Sequence, residues 1–140
     1  MRFWDSSALI PLVMREPASS AVRALRTDDP DLTVWWAAEV ECASALARRE
    51  REGALENPPV AWARLEEVTL TWTEIPPASE VRRSAVRATR THGLRAADAL
   101  QLAAALVASE QAPRDLPFVT LDERLADAAR REGFPVLLPV

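Results

Sequence analysis

One cysteine (Cys42), one histidine (His92) and three glycines are all that this chain has of three residue types on which much protein chemistry depends. A lone cysteine excludes an internal disulfide, and nothing points to an oxidising compartment. One cysteine with one histidine also excludes a thiolate–imidazole zinc site. His92 falls at a predicted helix end, where it reads as a C-terminal cap, and no nucleophile elbow is present; both argue against a Ser-His-Asp hydrolase. Gly53, Gly93 and Gly133 each follow an arginine-rich helix end, where glycine relieves a left-handed cap. None is left for a phosphate-cradling loop, so a P-loop and a dinucleotide fingerprint are excluded. Long apolar runs are missing too: the most apolar later stretch, Ala96–Ala108, is broken by Asp98 and Gln101. With no leader-like N-terminus and no membrane span, a cytoplasmic protein is expected. Lysine is absent; all 17 basic residues are arginine and the net charge is −4. An acidic chain is a poor phosphate binder. That objection weakens if carboxylates gather divalent cations where substrate would sit, and arginine can still grip phosphates bidentately.

What remains is a chain of 140 residues, the size of one domain spanning 1–140, with an apolar content of 49% that suits a packed core. Short β-forming segments alternate with helical ones. Strands are expected at Arg2–Trp4, Leu32–Val34, Thr71–Ile75, Phe118–Thr120 and Val136–Leu138. Helices are expected at about Ser6–Met14, Ala18–Arg26, Ala37–Glu52, after Asn57-Pro58-Pro59, at Ala78–His92, Ala96–Ser109 and Asp122–Glu132, with a turn at Asp28-Asp29-Pro30. Such alternation predicts an α/β fold, a parallel sheet of about five strands covered on both faces. No linker, repeat or second domain is apparent.

The chemistry left available is carboxylate chemistry. Asp5 directly follows the first strand, in Phe3-Trp4-Asp5-Ser6-Ser7, and Asp122 follows the fourth, in Phe118-Val119-Thr120-Leu121-Asp122. Each would serve equally well as an ordinary helix N-cap. Both nonetheless point to the carboxyl edge of a parallel sheet, where α/β proteins bind ligands. Asp98 sits among Ala96, Ala97 and Ala99 in a helix too apolar to be a free surface element, so its charge needs a partner or a metal. Glu41 stands among small and apolar residues in Val40-Glu41-Cys42-Ala43-Ser44. Glu39 lies about 200° around the same helix, and periodicity alone does not choose between them. Acids gathered in this way repel one another without cations, and oxygen ligands suit Mg²⁺ or Mn²⁺. A site of that kind lowers the pKa of a bound water and steadies charge on a phosphodiester in transfer. Cys42 reads as core packing, and Trp35, Trp36, Trp62 and Trp72 as core or dimer interface.

Phe3-Trp4-Asp5-Ser6-Ser7-Ala8-Leu9, the run from Glu41 to Arg49, the run from Leu94 to Ala103, and Val119-Thr120-Leu121-Asp122 with Leu125 together resemble the PIN domain. More narrowly, they resemble the VapC-type toxins of toxin–antitoxin modules. The resemblance spans nearly the whole chain in order. It implies a three-layer α/β/α fold and Mg²⁺- or Mn²⁺-dependent endoribonuclease activity that leaves a 5′-phosphate and a 3′-hydroxyl. It assigns the catalytic and metal positions to Asp5, Glu41, Asp98 and Asp122, which favours Glu41 over Glu39. Ser7 and Thr120 match positions whose hydroxyls support the metal ligands. It also implies a homodimer silenced by a cognate antitoxin protein. Gln101 stands where histidine is frequent in the family, which puts any substrate contact from that position in doubt.

Arg82, Arg83, Arg87 and Arg90 form a row that is either a solvated helix face or a track for an RNA backbone. Two other readings compete. A haloacid-dehalogenase-type phosphatase needs a second acid two residues after Asp5, where Ser7 stands. A non-catalytic PIN-like RNA- or protein-binding module would not need the intact acid set.

Overall fold

Alternation along five short strands divides the core into two layers. The computed structural model describes residues 1–139. Along the chain run β1 (Arg2–Trp4), α1 (Ser6–Val13), α2 (Ser19–Asp28), β2 (Leu32–Trp35), α3 (Ala38–Arg51) and α4 (Pro58–Thr69). Then come β3 (Thr73–Ile75), α5 (Ser79–His92), α6 (Ala96–Ala108), β4 (Phe118–Val119), α7 (Glu123–Glu132) and β5 (Val136–Leu137). All strand pairs are parallel, in the order β3-β2-β1-β4-β5.

Because successive strand residues face opposite ways, Phe3, Trp35 and Phe118 pack against α5, α6 and α7. Trp4, Leu32, Val34 and Val119 pack against α1 to α4 on the other face. The result is the α/β/α arrangement expected of a parallel sheet buried on both sides. Phe3 stacks on Phe118 with centroids 5.3 Å apart, tying the two central strands together. Among the described residues no helix is long and apolar enough to cross a membrane.

The strand order also places the functional edge. The chain winds from β1 outward to β2 and β3, then returns to the other side of β1 to form β4 and β5. Neighbouring strands β1 and β4 therefore lead away in opposite directions at their carboxyl ends, which opens a crevice there.

Local chemistry explains most of the boundaries. Asn57 Oδ1 accepts from Val60 N at 3.3 Å and Pro58 opens α4, as the sequence predicts. Gly93 and Gly133 close α5 and α7 at φ +64° and +101°. Some expectations need correction. Trp35 extends β2 because it pairs with Ile75, while Thr71 is not in β3 because its amide and hydroxyl both turn back to the Val68 carbonyl. Asp28 completes α2 rather than opening the turn. Gly93 alone caps α5: the His92 side chain is only 5% exposed, neither ring nitrogen is hydrogen-bonded, and Nε2 lies 3.7 Å from Glu132 of α7. Trp35 and Trp72 are buried, Trp62 is partly buried, and Trp36 is exposed. Cys42 is core, and burial, followed by the nearby Glu41 charge, pushes its thiol up to about 12.

Leu102 is fully buried at the centre of α6, whereas Leu70 is 87% exposed. Leu102→Ala should lower unfolding free energy in urea by about 2–5 kcal/mol. Leu70→Ala should stay within about 0.5 kcal/mol. Similar losses at both positions would contradict the assigned core.

Candidate active site

Four elements deliver one acid each to the crevice. Asp5 follows β1, Glu41 lies in the first turn of α3, Asp98 in the first turn of α6, and Asp122 immediately precedes α7. All four line one hollow of about 260 Å³, together with Ser6, Ser7, Ser44 and Arg48. Glu39, in contrast, is exposed and outside it. A larger hollow of about 520 Å³, between the end of α1 and α4, contains one acid, Glu56. Size does not identify the site here; the gathering of charge does.

Asp5 is the most enclosed of the four, at 4% exposure. It is the residue preceding α1, yet its side chain makes no cap bond. Instead Oδ2 accepts from Ser7 Oγ at 2.5 Å and Thr120 Oγ1 at 2.6 Å. Those hydroxyls are themselves held, because Leu121 N donates to Ser7 Oγ and Asp122 N to Thr120 Oγ1, at 2.9 and 3.0 Å. Thr120 leaves β4 one residue earlier than its sequence suggests, and its side chain turns to Asp5. Burial raises the Asp5 pKa, the two hydroxyls offset part of the rise, and the Asp98 charge adds to it.

Glu41 is partly exposed and is pushed up to about 7, first by burial and then by the Asp5 charge; the Gln101 amide and Ser6 hydroxyl pull it back. Gln101, fully buried, donates through Nε2 to Glu41 Oε1 at 2.9 Å and to Ser6 Oγ at 2.8 Å. The sequence carried a signal for this residue: a polar side chain in the apolar stretch Ala96–Ala108. Asp98 is raised by burial and then by Asp122, with Arg95 and Arg124 opposing. Asp122 fills two roles, since its Oδ1 accepts from Arg124 N and Leu125 N as a true N-cap while the residue also lines the hollow. The capping and crevice readings of Asp122 are compatible.

Among the described residues no three acidic, histidine or cysteine side chains stand close enough to enclose a single ion. The donor set still fits a hard divalent cation. It is all oxygen, and three of its acids are raised by burial and by neighbouring acids, a penalty that positive charge would relieve. Holding an ion would require the side chains to close inward.

The α5 arginines lie elsewhere. Arg87 pairs with Glu132, Arg82 lines a separate hollow with Trp35 and Leu100, and none of Arg82, Arg83, Arg87 or Arg90 borders the carboxylates. The arginines that do approach the acids are Arg48, Arg95 and Arg124.

The PIN domain family profile matches residues 2–131. Among solved structures, the chain is similar to the crystal structure of PAE2754 from Pyrobaculum aerophilum, with 26% identity and a TM-score of 0.63. That match covers 91% of this chain and 78% of the other. No curated protein matches.

Two outcomes follow from the acid cluster. Glu41 is raised above its ordinary 4.5 to about 7, so its contribution to the stability of metal-free protein is fully present below the lower value and is lost as pH rises through the higher. The melting temperature without metal should therefore fall by about 3–6 °C between pH 5 and 8. Glu41→Gln should flatten that slope, and a rise with pH would contradict it. Gln101→Leu removes the donor to Glu41 and should weaken Mn²⁺ affinity at pH 7 by about 10–100-fold in calorimetric titration. Unchanged affinity would show that the contact has no part in cation binding.

Proposed function

The chain belongs to the PIN domain family, a nuclease-type fold whose members typically use divalent metals, and on that premise we propose that it is a Mg²⁺- or Mn²⁺-dependent endoribonuclease acting as the toxin of a toxin–antitoxin pair. The observation that carries the reading is the convergence of Asp5, Glu41, Asp98 and Asp122, from four separate elements, on one hollow at the sheet's switch point. These four would hold the cation. When bound, it supplies charge stabilisation at the phosphodiester and a lowered pKa for water.

The chain's own residues organise the ligands. Ser7 and Thr120 fix one oxygen of Asp5, Gln101 fixes one oxygen of Glu41, and the backbone amides of Arg124 and Leu125 fix one oxygen of Asp122. Such bonds set ligand orientation before an ion arrives. Hydrolysis adds water across the P–O3′ bond: the water oxygen joins phosphorus, and the 3′ oxygen leaves and gains a proton. A 5′-phosphate and a 3′-hydroxyl result, and no 2′-hydroxyl takes part. The choice of RNA, the homodimer and the cognate antitoxin are supported by family resemblance.

The test is cleavage of a mixed RNA pool by purified protein with Mn²⁺, Mg²⁺ or EDTA. Cutting should require metal. Asp98→Asn should reduce it by more than the roughly 10–100-fold expected for loss of an outer partner such as Thr120. Metal-independent cutting, or a fully active Asp98→Asn protein, would overturn the assignment. RNA binding that needs neither metal nor these acids, without turnover, would instead establish a non-catalytic binding module.

A further inference from the structure

A smaller hollow lies along α7, whose N-cap Asp122 lines the acidic crevice, and differs from that crevice in charge. It measures about 150 Å³ and is lined by His92, Leu94, Arg124, Asp127, Ala128 and Arg131. Its α7 members recur at positions i, i+3, i+4 and i+7, so they form one stripe along that helix. Arg124 lines this hollow and stands two residues from Asp122 of the crevice. Its backbone amide is bonded to Asp122 Oδ1, and its guanidinium is close enough to Asp98 to oppose the rise in that acid's pKa.

Two acids of α7 are already engaged, while Glu123 in its first turn forms no ion pair among the described residues. Asp127 pairs with Arg130 at 3.1 Å, and Glu132 pairs with Arg87. Among the described residues, neither Arg124 nor Arg131 forms an ion pair, and both are exposed. The imidazole of His92, 5% exposed with neither nitrogen hydrogen-bonded, lies at the same hollow. Two guanidiniums without ion pairs on one helix stripe are a local feature of a chain whose net charge is −4. Guanidinium groups bind phosphate oxygens bidentately.

We infer that the substrate strand leaves the carboxylates along α7, with Arg124 and Arg131 each holding a backbone phosphate of single-stranded RNA beyond the cut site. The inference rests on the nuclease reading and deepens it by assigning the strand's path. Seven residues of helix separate the two arginines by about 10.5 Å, which spreads the contacts along the strand rather than concentrating them at the scissile phosphate. The path differs from the α5 row that the sequence suggested. There Arg87 is committed to Glu132 and Arg82 opens onto a hollow lined by Trp35, Pro77 and Leu100.

Fluorescence anisotropy with a labelled single-stranded RNA of twelve nucleotides tests the path, using Asp98→Asn protein in Mg²⁺ so that the probe stays intact. Added to that background, Arg124→Ala and Arg131→Ala should each weaken binding by about 3–10-fold. Each should also flatten the dependence of log Kd on log salt by about 0.7, the value for one phosphate contact on a single strand. Arg131→Lys should keep most of the slope, and Arg23→Ala on α2 should change nothing. Binding with unchanged slope in both α7 variants, or slope lost only in Arg82→Ala and Arg83→Ala, would overturn the α7 path and leave the nuclease reading standing. If no form of the protein binds RNA and wild-type protein cuts none, both fall together.

Discussion

The carboxylate of Asp5 is the point on which the arrangement depends. It is buried at the end of the central strand, and a buried charge without partners is strongly unfavourable. Two hydroxyls, Ser7 and Thr120, satisfy one of its oxygens, and the backbone amides of Leu121 and Asp122 satisfy those hydroxyls in turn. This chain of bonds links the end of β1 to the end of β4 where the two strands lead apart. It therefore fixes the crevice and also places Asp122, whose own carboxylate begins α7. An Asp5 without these bonds would be an uncompensated charge at the centre of the fold.

Burial first, and neighbouring acids after it, raise Asp5, Glu41 and Asp98. A cluster built only for stability would replace some of these acids with neutral residues. Each acid here instead has one oxygen or one flank held by hydrogen bonds or arginines while the set still faces a common space. Gln101 is the clearest example. A polar amide buried in an apolar helix has a burial penalty of its own, and its Nε2 goes to Glu41 and Ser6 while its Oε1 has no partner among the described residues. Arrangements that sacrifice stability to hold charges in proximity are characteristic of functional sites.

Charge distribution reconciles an acidic chain with the polyanionic substrate proposed for it. Net charge describes the whole surface, whereas a strand of nucleic acid meets only a stripe of it. On α7 Asp127 is paired with Arg130 and Glu132 with Arg87, and among the described residues Arg124 and Arg131 form no ion pair. Acidic and basic regions thus lie next to one another, and the composition of the chain reports neither.

The sequence by itself determined the element order, the alternation of strand and helix and the parallel sheet, because these follow from hydrophobic periodicity, caps and short local motifs. Phe3 and Trp4 face opposite sides for a reason as local as the period of a strand, and Asn57-Pro58 opens a helix through contacts within one turn. Tertiary structure alone decided which residues meet. Glu41 and Glu39 have similar local surroundings, and only the packing of α3 against the sheet turns one toward the crevice. Gln101 reaches Ser6 across 95 positions and Glu41 across 60. The row on α5 and the stripe on α7 are both plausible phosphate tracks in one dimension. Which of them borders the acids depends on where the sheet order places each helix, a property of the assembled layers and not of any segment read alone.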